Sequence, residues 1–255
     1  MSADTGSADT TGPVRSVARA LDVLEAMAEI AEPVTLSEIA KLFGNVPRST
    51  LHDILRTLHT KGWVEAAGDG PRYNLSIKTL QLGRSYLDAS KAFASYEQTL
   101  DAVAERVDET VHLGRLFDTS IVYIGKRDPS HAIRLYSAIG RSLPAHATAL
   151  GKSLLARRPD PELSVLLPER LEALTEQTIV DREKLLLDLA EIRERGYAID
   201  NEESMDGVLC YAVALSDREA ISVSMLKWRT GPDEREKIIE TLLEVAATAD
   251  SGTLG

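Results

Sequence analysis

The 255 residues, 44% hydrophobic and 27% charged, suffice for one large domain or two modest ones, and 16 glycines with 10 prolines exclude collagen-like and low-complexity chains. No apolar run approaches the ~18 residues of a membrane span, so no membrane partner is expected. The formal net charge of −11 disfavours nucleic-acid binding by the chain as a whole, yet nine Lys/Arg face eight Asp/Glu over 13–85, against 20 facing 30 over 86–255. The acidity belongs to the second part, which points to two modules with different partners.

Residues 1–13 lack the basic start and apolar core of a secretion signal and read as a disordered leader. The lone cysteine, Cys210, cannot close an intramolecular disulfide, which suits a reducing, cytoplasmic setting. From Arg15, the spacing of Val17, Ala20, Leu21, Leu24 and Met27 predicts an amphipathic helix ended before Pro33. Thr35 and Glu38 have capping-box spacing and open a second helix with Ile39, Ala40 and Leu42 as its apolar face, stopped by Gly44. Pro47 opens a third helix and Gly62 closes it. In that helix Leu51, Ile54, Leu55 and Leu58 form one stripe that must face a core, so Ser49, His52, Asp53, Arg56 and Thr60 point the other way. Two β-prone runs at 63–65 and 72–75, around a Gly-Asp-Gly turn at 68–70, read as a hairpin.

Residues 77–107 read as helix, loosened around Ala89 and Ser90, and serve as a connector. Beyond them, strands are expected at 110–113, 121–124, 133–136, 206–215 and 219–225, and helices near 146–156, 181–195 and 232–249. That order describes an α+β domain with an antiparallel sheet.

A helix-turn-helix works because its second helix fits the major groove while the first crosses the backbone. Ser49, Thr50, His52 and Arg56 can donate to base edges or phosphates, Arg48 stands in the first turn, and Arg72 on the hairpin reaches a neighbouring phosphate or the minor groove. A merely solvated polar face explains any one of these residues, whereas the succession of capped helix, glycine turn, Pro-initiated helix and hairpin wing favours DNA.

The segments SVARALDVLEAMAE, VTLSEIAKLFG, VPRSTLHDILRTLHTKGWVE and RYNLSIKTLQLG resemble the winged helix-turn-helix of the IclR family of bacterial transcription regulators. HATALGKSLLA, RERGYAIDNEES, GVLCYAVAL and AISVS resemble the same family's ligand-sensing domain, so the likeness runs from about residue 14 to 250. The resemblance implies a leader at 1–13, a winged helix-turn-helix at 14–76, a helical linker at 77–107 and a GAF-like α+β effector domain at 108–255. It further implies a homodimer or dimer of dimers on double-stranded, palindromic operator DNA, a small organic effector of carboxylate or aromatic type, and no cofactor or catalytic residue. Asp53 departs from the basic residue that relatives often carry. It repels phosphate and can accept from a cytosine amino group, or it pairs within the helix with Arg56 or Arg48.

In the second module, alternation puts Cys210, Ala212 and Ala214 on one strand face and Leu209, Tyr211, Val213 and Leu215 on the other, with Ser222 and Ser224 opposite Ile221, Val223 and Met225. One side of the sheet is thus small and mildly polar, which leaves room for a ligand, and the helix start at 146–150 favours an anion. By resemblance the effector contacts are Ala149, Leu150, Asp200, Cys210, Ser222 and Ser224. Close packing of small residues against a helix is the plainer reading of the same pattern. Ala214 in place of a usual proline, a shortened hairpin at 216–219 and Met225-Leu226 in place of Gly-Pro depart from the family, the last pair at the expected lip of the pocket.

Gly151-Lys152-Ser153 imitates the end of a P-loop, but His146 stands where its first glycine is required. His52, His59, His112, His131 and His146 lack metal-ligand spacing. A nucleophile, base and orienter drawn from Cys210, His146 and Asp200 sustain a rival reading, an enzyme with an accessory DNA-binding domain. A ligand-free assembly module is the third.

Overall fold

The computed structural model describes residues 12–68, 70–89, 91–132, 135 and 137–250, with only the backbone described for 91–95 and 250. Residues 1–11 of the expected leader, Asp69 of the expected turn, Ser90 of the loosened connector, and Ile133, Arg134 and Tyr136 of the expected third strand lie outside the described residues. The chain divides into two compact units, Met1–Tyr86 and Leu87–Gly255.

The first unit comprises α1 (Arg15–Ile30), β1 (Val34–Thr35), α2 (Leu36–Leu42), α3 (Arg48–Thr60), β2 (Val64–Ala67), β3 (Arg72–Leu75) and most of α4 (Ile77–Ala89). The capping box forms: Glu38 N–H donates to Thr35 Oγ1 at 3.2 Å and Thr35 N–H donates to the Glu38 carboxylate at 2.7 Å. Gly62, at φ 74°, takes the left-handed turn that releases α3 into β2. The hairpin gains a third strand that alternation did not reveal, because β1 is only two residues long and pairs on the outer side of β3. Val23, Met27, Val34, Ile39, Leu51, Ile54, Leu55, Leu58 and Val64 make the core. α1 carries two apolar stripes. Val23 and Met27 are buried, whereas Val14, just before it, Val17 and Leu21 are exposed. On α4, Ile77, Leu80 and Leu82 are exposed as well.

The second unit comprises α5 (Lys91–Val107), β4 (Thr110–Phe117), β5 (Ser120–Arg127), β6 (Ser142–Pro144), a 3-10 turn (Ala145–Ala147), α6 (Ala149–Leu155), α7 (Asp160–Leu166), α8 (Arg182–Arg195), β7 (Ala198–Asn201), β8 (Val208–Ala214), β9 (Glu219–Leu226) and α9 (Pro232–Asp250). Its strands form one antiparallel sheet in the order β6-β5-β4-β9-β8-β7. The two faces separate as alternation requires. Leu209, Tyr211, Val213, Ile221, Val223 and Met225 pack with Leu100 and Val103 of α5 and Ile238 and Leu242 of α9. Cys210, Ala212 and Ala220 face Leu150 and Leu154 of α6, Leu163 of α7 and Leu185 and Leu189 of α8. β6 and α7 escaped the sequence reading, since three and seven residues are too few to establish a period.

The small-residue face lets α6 lie close to the sheet and to the turn before it. An added Cβ at Gly151 would stand 2.1 Å from the Ala145 carbonyl oxygen, so this glycine serves helix docking and not phosphate. Gly151→Ala is expected to lower the unfolding free energy in urea by about 2–3 kcal/mol, while Gly83→Ala on α4, where nothing lies within 4 Å, raises it by up to about 1 kcal/mol.

Candidate nucleic-acid interface and ligand cavity

The leucine stripe of α3 is buried as its spacing requires, and Ser49, His52, Asp53 and Arg56 are exposed, with Thr50 half-buried beside them. Arg56 Nη2 lies 3.0 Å from Asp53 Oδ1, and His52 Nδ1 is 3.8 Å from the same oxygen. Asp53 therefore pairs within the helix, and with Arg56: Arg48 turns instead to α2, donating to Ser37 Oγ at 2.9 Å. Arg72 is exposed but tethered, donating to the Pro33 carbonyl at 2.6 Å and standing 3.7 Å from Glu38. Its present contacts brace the three-stranded sheet against α2, a role the sequence reading did not assign it.

A cavity opens on the small-residue face of the second unit, lined by His112, Tyr123, Ser137, Arg141, Ser204, Cys210 and Ser224 together with Leu135, Leu143, Met205 and Val208. Strand register builds its floor: Cys210 pairs with Ser224 on one side and Asp200 on the other, and two register positions along, Ser222 joins Ala212 to His112. The His112 imidazole stacks on Tyr123 at 4.6 Å between ring centroids, with Nε2 2.7 Å from Ser137 Oγ and Nδ1 3.4 Å from Ser224 Oγ. Burial, aided by the nearby Lys126 ammonium, lowers its pKa from 6.5 to about 4, so the ring is neutral near pH 7. Burial likewise pushes the Tyr123 phenol up. Among the described residues the cavity offers hydroxyls, a neutral imidazole and the Arg141 guanidinium against an apolar wall, and no carboxylate lines it. This constellation suits a small anion with a polar or flat body.

Sequence comparison adds to this geometry. Residues 84–251 match the family model described as the bacterial transcriptional regulator IclR C-terminal, and 16–68 match the IclR helix-turn-helix domain. The chain belongs to the IclR family. It is 36% identical over 248 residues to the HTH-type transcriptional regulator XynR of Escherichia coli (strain K12), covering 95% of this chain and 98% of that one. An IclR transcriptional regulator from Alicyclobacillus acidocaldarius superposes with a TM-score of 0.82 at 28% identity, over 94% of this chain and 99% of that one. An IclR homolog from Microbacterium hydrocarbonoxydans, solved in complex with 4-hydroxybenzoate, shares the fold with a TM-score of 0.74 at 22% identity, over 92% and 98% of the two chains.

Of the six effector contacts expected by resemblance to the IclR family, Cys210 and Ser224 line the cavity and four do not. Ala149 and Leu150 are sealed in the core under the sheet, and the helix start they form is already capped, Gly151 N–H donating to Thr148 Oγ1 at 3.0 Å. Ser222 is buried, paired in register with the cavity-lining His112 but not itself part of the lining. Asp200 stands behind the wall, where its carboxylate accepts from the Glu203 and Ser204 amides at 2.8 and 3.1 Å and from the Ser204 hydroxyl. It positions Ser204 and is not open to a ligand hydroxyl. Met225 is fully buried on the opposite face, which removes it from the lip. His112, Tyr123, Arg141 and Ser204, to which the sequence analysis gave no ligand role, also line the cavity. The alternation around His112 was visible, but only sheet order brings β4 beside β9.

The catalytic alternative fails on geometry and charge. His146 is bonded to the Glu172 carbonyl at 2.8 Å and does not line the cavity. Burial, then the Asp200 carboxylate, hold the Cys210 thiol well above its ordinary pKa, the reverse of an activated thiolate. Among the described residues no three His, Cys, Asp or Glu side chains stand together as metal ligands, and no helix is long and apolar enough to cross a membrane.

His112 gives the fold an acid dependence. Between pH 6.5 and 4 the folded state binds fewer protons than the unfolded chain, so stability that is complete above pH 6.5 is lost as pH falls through about 4, by up to roughly 3 kcal/mol. Urea titrations of the wild type and His112→Gln across this window are expected to diverge, with the variant losing less stability on acidification.

Proposed function

We propose that the protein is a ligand-responsive regulator that reads operator DNA with α3, acts as a homodimer or dimer of dimers in the cytoplasm, and takes a small organic carboxylate in the cavity of its second unit. The observation that carries the DNA reading is the division of α3 into a buried leucine ridge and an exposed face of Ser49, His52, Asp53 and Arg56, with Thr50 half-buried at its edge. That face has the side-chain types that donate to base edges, while Arg48 and Arg72 suit neighbouring phosphates. Asp53 holds Arg56 in place along the helix and bars phosphate from its own position. The exposed stripe of Val14, Val17 and Leu21 and the exposed Ile77 and Leu80 of α4 supply apolar surface that a second copy of the chain would cover. Two reading helices about one helical turn apart then call for a short, imperfect palindrome.

The effector contacts we assign are His112, Ser137, Arg141, Ser204, Cys210 and Ser224, with Ala149, Leu150, Asp200 and Ser222 shaping the site from behind. Arg141 supplies the charge that selects an anion, and the His112-Tyr123 stack supplies a flat wall. A homolog of the same fold holds 4-hydroxybenzoate, a carboxylate on an aromatic ring. Effector binding acts through unequal affinity for two arrangements of the oligomer.

Two measurements test these roles. Arg56→Ala is expected to weaken binding to duplexes from the flanking promoter and to reduce the slope of log affinity against log salt by about 1; unchanged affinity and slope would remove Arg56 from the interface. Thermal shifts with a panel of aliphatic and aromatic carboxylates are expected to single out a stabilising ligand. Arg141→Met should weaken that ligand by at least about tenfold while operator binding without effector persists. A panel without any shift would favour the ligand-free assembly module.

A further inference from the structure

The motif Gly151-Lys152-Ser153, which does not serve phosphate, leads to a buried charge cluster. Lys152 is 1% exposed on α6, and its Nζ lies 2.6 Å from Glu203 Oε1 and 2.8 Å from Asp188 Oδ2. Glu203 belongs to segment 202–207, which joins β7 to β8 and contributes Ser204 and Met205 to the cavity wall. The same segment is tied from several sides. Asp200 holds the Glu203 and Ser204 amides, Thr178 Oγ1 donates to the Glu203 carbonyl at 2.7 Å, Thr175 Oγ1 donates to the Glu202 carbonyl at 2.6 Å, and Lys227 pairs with the Glu202 carboxylate.

Two features separate this cluster from ordinary packing. Glu202 sits at φ 66°, a left-handed conformation that a side-chain-bearing residue keeps only where its surroundings over-determine it. Moreover, buried ion pairs seldom add stability over apolar residues of the same volume, because desolvating the charges offsets their attraction. Here the balance is poorer still: Glu203 Oε2 is buried with no hydrogen-bond partner among the described residues. What the Lys152–Glu203 tie supplies is a fixed position for the residue next to Ser204.

We infer that Glu203 is a positioning residue of the cavity: its tie to Lys152 holds segment 202–207 in place, with Glu202 left-handed, and so sets Ser204 and Met205 against the ligand. This rests on reading the cavity as the effector site, but the tie has a consequence that needs no ligand. Glu203→Ala cuts it and leaves Lys152 paired with Asp188, so no buried cation is orphaned.

The test uses the full chain and two readouts. In amide hydrogen exchange, Glu203→Ala is expected to speed exchange at residues 203–207 by at least about tenfold, with β4 and β9 amides unchanged. Binding of acetate, glycolate, benzoate and 4-hydroxybenzoate, measured by calorimetry, is expected to weaken by about tenfold or more for whichever the wild type takes up, with operator affinity without ligand within twofold of wild type. Glu203→Gln, which keeps an oxygen for the Lys152 ammonium, should restore both readouts to within about threefold. Glu203→Asp, too short to reach Lys152 but equal in charge, should behave like Glu203→Ala and replaces it if the alanine variant does not fold. Unchanged exchange at 203–207, a rise spread evenly over the sheet, or wild-type ligand affinity in Glu203→Ala would each overturn the inference. If the wild type takes up none of the four carboxylates, the effector reading is what fails, and the exchange result alone decides whether Glu203 holds the segment.

Discussion

The burial of four aliphatic side chains on one helix is the constraint on which the first unit depends. Leu51, Ile54, Leu55 and Leu58 lie along one side of α3, and sinking them against Val23, Met27 and Ile39 removes apolar area worth about 1.5–3 kcal/mol per side chain. Because a helix fixes the angle between successive residues, the same act aims Ser49, His52, Asp53 and Arg56 at solvent. No separate device is needed to present the polar face. The capping box at Thr35 and Glu38 and the tether from Arg72 to Pro33 then hold α2 and the small sheet around that helix.

The second unit applies the strand counterpart of this rule. A period of two sends Leu209, Tyr211 and Val213 to one layer and Cys210 and Ala212 to the other, and the small residues of the second set let α6 settle close. The cavity opens on the same small face, where Cys210 and Ser224 join His112 and Tyr123 in its lining. Polar residues gather there under the cost of burial. His112 stays neutral, and Asp200 satisfies its oxygens with the amides of the segment it holds.

Legibility in the sequence followed the range of each interaction. The α3 stripe, the capping box, Gly62 and the two faces of β8 and β9 are local patterns and were read correctly. Periodicity announced an amphipathic α1 but not its outward stripe, because it measures apolarity and not what covers it. The site divided in the same way. Cys210 and Ser224 were placed from alternation and family likeness together, but Arg141 and Ser204 sit in irregular segments with no period, and His112 reaches the cavity only through the β4–β9 pairing. Ala149 and Leu150, expected as effector contacts by family likeness, lie in the core under the sheet at a helix start that Thr148 caps.

The central claim is that the hydrophilic side of α3 meets duplex bases. Diethylpyrocarbonate labelling of the full chain, read by mass spectrometry with and without a promoter duplex that shifts its mobility, tests it directly through the exposed ring of His52. The account predicts that saturating duplex shields His52 while the labelling of His131, in the second unit, is unaltered; full reactivity of His52 in the bound complex would contradict it.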